Sequence, residues 1–411
     1  MQNDCFPDAI AEWSKGPVAA LAVVNPRYAM KKGRQYPFVE MAAVGENFAG
    51  ILQFATRPLE GSGLSRFKVG DTLFAKITPC PENGKVAFVE GLPAEGGGLG
   101  STEFIVLSPR PGANPRFLYH LACCHEVRGR AAARMEGSTG RQRVPDEVFI
   151  RRLLVPLPDN EEQAAIARVL DAADMALRST RAAVERAREL ERSLLEHAFE
   201  KLEAPRRPLS DFATDVRYGT SKASSERGWG NPVLRIPNVI GDRLDLFDLA
   251  FVELGTGDVE RLRLQDGDLL LVRTNGNPNY VGRSVVFALP DTRVWVYASY
   301  LIRVRLKKGL LPQYVNVFLG LERGRRELLR RVTTSAGNHN INSNSIRLVQ
   351  LPVPDDAESQ VRIVALAEAC RRHTDALRAK VVAIETLKRS LIHDLLTGRV
   401  RVRDTEKVAA A

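Results

Sequence analysis

Landmarks in this chain recur at a constant offset, and that offset restricts it to folds in which one domain is built twice. Gly70-Asp71 and the run Thr72-Leu73-Phe74-Ala75 land on Gly267-Asp268 and Leu269-Leu270-Leu271-Val272. Phe117 lands on Tyr314, Gly140 on Gly337, Ile166 on Ile363, and Arg192-Ser193-Leu194-Leu195 on Arg389-Ser390-Leu391-Ile392. Solenoid units run about 20–50 residues, so this repeat is a whole domain with its connector. Two similar halves present two similar surfaces, which suits a target in two parts.

The connectors are the next constraint. No glycine occurs between Gly140 and Gly219, and no proline between Pro158 and Pro205. Ile166, Leu170, Ala173, Leu177, Thr180, Val184, Ala187, Leu190, Leu194 and Ala198 are spaced by fours and threes, a coiled-coil seam. Ile363, Ala367, Cys370, Thr374, Leu377, Val381, Ile384, Leu391 and Leu395 repeat it, and Gly398 supplies a stop. A helix of about 40 residues is roughly 60 Å long, and two with matching seams most simply bury each other. If a rotation relates the copies, the helices run antiparallel; a parallel pair with side-by-side domains is the alternative. Val155-Pro156-Leu157-Pro158-Asp159 and Leu351-Pro352-Val353-Pro354-Asp355 introduce the helices. Proline fixes an extended entry and the aspartate serves as cap or first-turn acid. Gln163 and Gln360 follow one turn later.

With 44% hydrophobic and 26% charged residues over 411 positions, the chain is globular and has room for two or three domains. No apolar run approaches the roughly 18–20 residues of a membrane span. The start, Met1-Gln2-Asn3-Asp4-Cys5, lacks the pattern of a signal peptide. Five cysteines without a C-x-x-C argue against disulfides or structural zinc, so a cytoplasmic location is expected. The net charge of +10 is unevenly placed: residues 1–158 carry +4, 159–203 −4, 206–354 +8, 355–396 zero and 397–411 +2. Basic charge confined to a duplicated domain, with acidic or neutral connectors, points toward nucleic acid.

The larger segments read as mixed and β-rich. Arg66–Ile77 is a turn followed by a buried strand, and Leu264–Arg273 is its twin. Val281–Leu289 and Val294–Leu306 are further strand candidates, with short helices expected over Pro115–Val127 and Pro312–Arg331. The copies agree in this framework and differ over residues 25–62 and 215–260, which is what two readers of different targets would show. The expected organisation is α+β: β-rich domains at 1–158 and 206–354, long helices at 159–203 and 355–398 pairing antiparallel, and a flexible tail at 399–411.

These features together resemble the specificity subunit of a type I restriction–modification system, along essentially the whole chain. The resemblance is carried by the Leu-Pro-x-Pro pieces with Gln163/Ile166 and Gln360/Ile363, by Leu387-Lys388-Arg389-Ser390-Leu391-Ile392, and by Leu395-Leu396-Thr397-Gly398-Arg399-Val400-Arg401-Val402. Leu234–Val239 and Gly267–Gly276 look like target-recognition-domain sequence. The first copy departs from the pattern, with Glu196-His197-Ala198-Phe199 in place of Leu-Leu-Thr-Gly. The resemblance implies a non-catalytic subunit whose two target-recognition domains each read half of a bipartite double-stranded DNA site. It implies a helix pair acting as spacer, two methyltransferase subunits docked on it, and restriction/translocase subunits joining them. S-adenosylmethionine, ATP and Mg are expected on those partners and no cofactor on this chain. A related system whose partner fuses methylation and cleavage, or a coiled-coil scaffold for protein assembly, are the alternatives.

Candidate contacts follow. Arg273, Thr274, Asn275 and Asn277 succeed a buried strand, where arginine pairs with guanine and asparagine with adenine. Asn338, His339 and Asn340 sit in a stretch dense in amide donors that matches where family members approach DNA, and a plain Asn-rich loop is nearly as good a reading. Tyr218, Thr220 and Lys222 flank Gly219, where backbone amides and Lys222 suit a phosphate or an ordinary turn. Arg235 and Asn238 lie in the family-like Leu234–Val239 piece. In copy one Lys31, Lys32, Arg34, Lys76, Thr78, Arg141 and Arg143 are the analogous residues. Enzyme signatures fail: Asn277-Pro278-Asn279-Tyr280 lacks the second proline of an adenine methyltransferase motif, and neither a phosphate-binding G-x-x-x-x-G-K-[ST] nor a Glu-x-Lys occurs. No H-x-x-x-H pair suggests zinc.

Overall fold

The computed structural model describes residues 4–6, 13–61, 63–138, 140–226, 228–241, 243–335 and 337–402. Most of the expected tail at 399–411 lies outside them. The chain divides into two compact units, Met1–Arg181 with Ala379–Ala411, and Ala182–Arg378. Among the described residues no helix is long and apolar enough to cross a membrane.

In the first unit a four-stranded sheet runs Ala22–Val24, Phe104–Pro109 (β2), Thr72–Ala75 (β1), Val86–Phe88, all antiparallel. A second sheet runs Ala55–Pro58, Gln35–Val39, Gly98–Gly100, Ser65–Phe67. Pro115–Cys123 (α1) packs on the first sheet and is followed by His125–Ala132. Asn160–Glu200 (α2) is the first long helix.

The second unit repeats the plan with Ala213–Tyr218, Leu301–Leu306 (β4), Leu269–Val272 (β3) and Ser284–Val286, backed by a smaller sheet of Ala250–Val252, Asn231–Leu234 and Val296–Tyr297. Pro312–Gly320 (α3) and Glu322–Leu329 follow, and Ala357–Thr397 (α4) is the second long helix. The registers match as well: Phe74 faces Ile105, and at the equivalent place in the second unit Leu271 faces Ile302. Each expected short helix is really two, broken at Cys124 and at its counterpart Leu321, both in extended backbone.

The repeated Gly-Asp step has a local cause. Gly70 and Gly267 turn the chain at φ of 91° and 85°, which favours glycine. The buried aspartates then accept the backbone N–H three residues back, Lys68 to Asp71 and Gln265 to Asp268, each at 2.8 Å. The glutamines also have a cause. Gln163 accepts from the Asn114 N–H and donates to the Pro158 carbonyl, at 2.9 and 2.8 Å. Gln360 accepts from the Leu311 N–H and donates to the Gly309 carbonyl, at 2.9 and 3.0 Å. Both residues are nearly inaccessible. They latch each long helix to the start of α1 or α3. Asp159 caps α2 through the Glu162 N–H, as expected, but α4 is capped by Asp356 through Ser359, one residue past the expected Asp355.

Within each unit the helix segments pack antiparallel. In the first, Asp174 pairs with Lys388, Arg181 with Glu385 at 2.6 Å, and Glu162 with Arg401 at 3.3 Å, so partners descend α4 as α2 ascends. In the second, Leu195 and Phe199 of α2 share a core with Ile363 and Ala367 of α4. The sequence-derived seam needs one correction. Leu190 and Leu194 are 58% and 39% exposed, while Leu195 and Phe199 are buried. After Val184 the inward face runs through the half-buried Ala187 and Glu191 to Leu195, so a polar residue occupies a seam position that the apolar pattern passed over.

Candidate nucleic-acid interface

Arg273 stands where the chain leaves β3 and joins a second, smaller sheet. Thr274–Asn275 pairs with Asn338–Asn340, which pairs in turn with Thr333–Ser335. Two motifs far apart in the sequence thereby become one strip: Thr274 faces Asn340 and Asn275 faces His339. The Arg273 N–H donates to the Tyr300 carbonyl at 2.8 Å, and its carbonyl accepts from Ile341 at 2.9 Å. Its guanidinium lies over the Tyr218 ring, 4.5 Å from the centroid, with Nη1 3.5 Å from the Ser299 carbonyl. No carboxylate among the described residues forms an ion pair with it. A partly exposed arginine held flat by an aromatic ring and left unneutralised can offer its N–H fork to a base edge or a phosphate.

The asparagines are prepared in the same way. Asn275 Oδ1 accepts from the Asn277 N–H at 2.9 Å, and Asn277 Oδ1 accepts from the Asn279 N–H at 3.0 Å. Two successive turns thus engage the side-chain oxygens, and the Asn275 and Asn277 amide N–H groups have no protein partner among the described residues. His339 Nδ1 lies 3.2 Å from Thr334 Oγ1, and Asn340 donates to the Asn338 carbonyl at 3.2 Å. The Tyr218 hydroxyl accepts from the Ser343 N–H at 2.9 Å, which fixes the ring beneath Arg273. Thr220 joins this edge through Tyr297 and Ser299, and its hydroxyl accepts from the Lys222 N–H at 3.1 Å. Gly219 permits that approach, because a Cβ there would lie 2.1 Å from the Tyr297 carbonyl oxygen. Lys222 is exposed beside a cavity of ≈ 500 Å³ shared with Trp229 and Phe251.

One expected contact is corrected. Asn238 is 1% exposed and spends both ends of its amide on the Arg235 N–H and the Asp245 and Asp248 carbonyls. Arg235 is paired with Asp248 at 2.8 Å. Asn238 shapes the turn after Asn231–Leu234 and has nothing left for a ligand, whereas Arg235 spends only Nη2 on Asp248. Tyr300, 58% exposed and bonded to Arg273 through the backbone, escaped the sequence reading; the signal was a large aromatic just outside an apolar strand.

The first unit builds the same strip from different residues. Lys76 takes the Arg273 position, its N–H on the Glu103 carbonyl at 2.8 Å and its carbonyl accepting from Val144 at 2.9 Å. Ile77 bridges Arg143, and Arg143 bridges Glu136, at the places of Thr274, Asn340 and Thr333. The Thr78 N–H donates to the Gln142 carbonyl at 3.0 Å, and its hydroxyl donates to Glu82 at 3.1 Å. The charges differ. Arg143 is gripped by both oxygens of Glu103, whose carboxyl it holds below the usual range, and Lys76 lies 3.9 Å from Asp146. Arg141 is exposed on the adjoining turn. Lys31, Lys32 and Arg34 are exposed on the turn before Gln35–Val39, in the second sheet, and no described contact joins them to the strip.

His120, Asp171 and Asp174 form the group of possible metal ligands in the described residues. Asp171 already accepts from His120 at 2.7 Å and from Arg116 at 2.6 Å, and Asp174 holds Lys388. With both carboxylates so engaged, the cluster is an ion-pair network between α1 and the long helices.

No protein-family model matches the chain. It is 29% identical over 196 residues to the type I restriction enzyme EcoKI specificity subunit of Escherichia coli K12, covering 47% of this chain and 42% of that protein. It is 30% identical over 158 residues to the EcoAI specificity subunit of Escherichia coli, covering 38% of this chain and 26% of that one. These matches therefore span less than half the length of either relative. A chain solved in work on complex assembly and conformational transition of the type I R-M system superposes with a TM-score of 0.63 at 18% identity. That match covers 94% of this chain and 98% of the other, and it establishes the fold.

Proposed function

We propose, because this chain is related in sequence and fold to the specificity subunits of type I restriction enzymes, that it is the non-catalytic DNA-recognition subunit of such a complex. Each β-rich unit reads one half of a bipartite, asymmetric site. The helix pair sets the spacer and docks two methyltransferase subunits, with restriction/translocase subunits added for cleavage. S-adenosylmethionine, ATP and Mg bind those partners. The observation that carries the reading is the strip built once in each copy of the repeat, with an unneutralised Arg273 in one and a Glu103-bound Arg143 in the other. A shared scaffold with different donor patterns is what reading two different half-sites requires.

The test is single-base mapping of methylation in a host carrying this gene and a matching methyltransferase subunit. A split, asymmetric motif methylated on adenine in both halves, lost when the gene is deleted, is the expected result. An active methyltransferase subunit giving no gene-dependent motif overturns the reading.

A further inference from the structure

We propose that the seam between the long helices is charge-coded, so that each helix accepts the other and rejects a second copy of itself. The offset that relates the halves of the chain also relates two ion pairs. Asp174 of α2 meets Lys388 of α4 in the first unit, and Glu191 of α2 meets Arg371 of α4, at 3.8 Å, in the second. The repeat carries position 174 to 371 and position 191 to 388. The two pairs are one seam position met twice, with the charge reversed between the helices. At these two largely desolvated positions α2 supplies the acid and α4 the base, whereas the more exposed Arg181–Glu385 pair runs the other way.

The apolar seam distinguishes the helices by size at some positions, Leu177 against Thr374 and Ala187 against Ile384, but not by charge. Ile166 and Ile363 are equivalent, as are Val184 and Val381, so a duplicated helix could in principle pair with its own kind. In that arrangement, at the same register, α2 against α2 sets Asp174 opposite Glu191 twice. α4 against α4 sets Lys388 opposite Arg371 twice. These are not fully solvated charges: the Asp174 and Lys388 side chains are 11% and 9% exposed, and those of Glu191 and Arg371 20% and 30%. Like charges forced together at largely desolvated positions are strongly unfavourable, and polar seam residues select partner and register at some cost in stability. The partner this face fits is therefore the opposite helix of this chain or of another copy. Nothing in this pairing depends on what the β-rich units bind.

The test uses three full-length variants. Asp174→Lys with Glu191→Lys makes α2 basic at the seam. Lys388→Glu with Arg371→Glu makes α4 acidic, and the third variant combines all four changes. The two-residue variants should melt roughly 10 °C or more below the parent, and the fourfold variant should regain most of that loss. Co-expressed, the two-residue variants should copurify through a tag on one of them, since the basic α2 of the first matches the acidic α4 of the second. Parent-like melting of both two-residue variants would show that the seam charges select nothing. A fourfold variant no more stable than the two-residue ones would show that burial, and not complementarity, sets the cost. If the two-residue variants are too unstable to isolate, recovery in the fourfold variant decides.

Discussion

Replacing Gln360 by alanine should loosen α4 from the second unit by an amount the structure sets. The change deletes an acceptor for the Leu311 N–H at 2.9 Å and a donor to the Gly309 carbonyl at 3.0 Å, from a residue 2% exposed. Leaving a backbone amide unsatisfied at such a site costs about 1–3 kcal/mol. With about 2 kcal/mol as the central value and roughly 2–4 °C per kcal/mol for a unit of this size, melting should fall by about 4–8 °C. Gln163→Ala provides the internal control, because Gln163 makes the equivalent bonds to Asn114 and Pro158. The two latches lie in different units, so in the double variant each unit's transition should fall by the amount its own single variant shows. Calorimetry on the full chain reads all three. A shift below about 1 °C in both single variants would refute the view that these glutamines hold helix to domain.

Arg273→Ala should weaken reading of one half-site by roughly ten- to a hundredfold and leave the other unchanged, measured by binding to paired half-site substitutions. Loss in both halves would contradict separate readers. Shortening α2 and α4 by equal numbers of turns should change the spacer in the methylated motif and preserve both half-site sequences. Burial holds the His120 imidazole below its ordinary pKa, so the folded chain refuses a proton that the unfolded chain accepts as pH falls below roughly 6.5. Stability should therefore drop on acidification from neutral pH. His120→Val, the residue found at 317, should flatten that slope in melting measurements between pH 7 and 5, and an unchanged slope would refute the assignment.

The duplication, the two long helices and the α+β class could be read from the chain alone, because they depend on patterns local to each segment. Apolar spacing of four and three, the proline entries and the Gly-Asp turn each act within a few residues, and the helices and buried strands form where those patterns lie. The candidate motifs at 273–277 and 338–340 were also legible, since dense amide and arginine donors are a local property. That they form one strip follows only from folding, through strand pairing between segments distant in the sequence. The same holds for what each side chain is left to do. Asn238 carries the right chemistry for a base but is claimed by the Arg235 N–H and the Asp245 and Asp248 carbonyls, while Arg273 finds only a ring and a carbonyl. The seam shows the limit most directly. Hydrophobic periodicity placed Leu190 and Leu194 inside, yet Glu191 takes the inward position because Arg371 faces it. A polar residue can occupy a seam only when its partner is present, and that partner comes from the other long helix, beyond the reach of any local pattern.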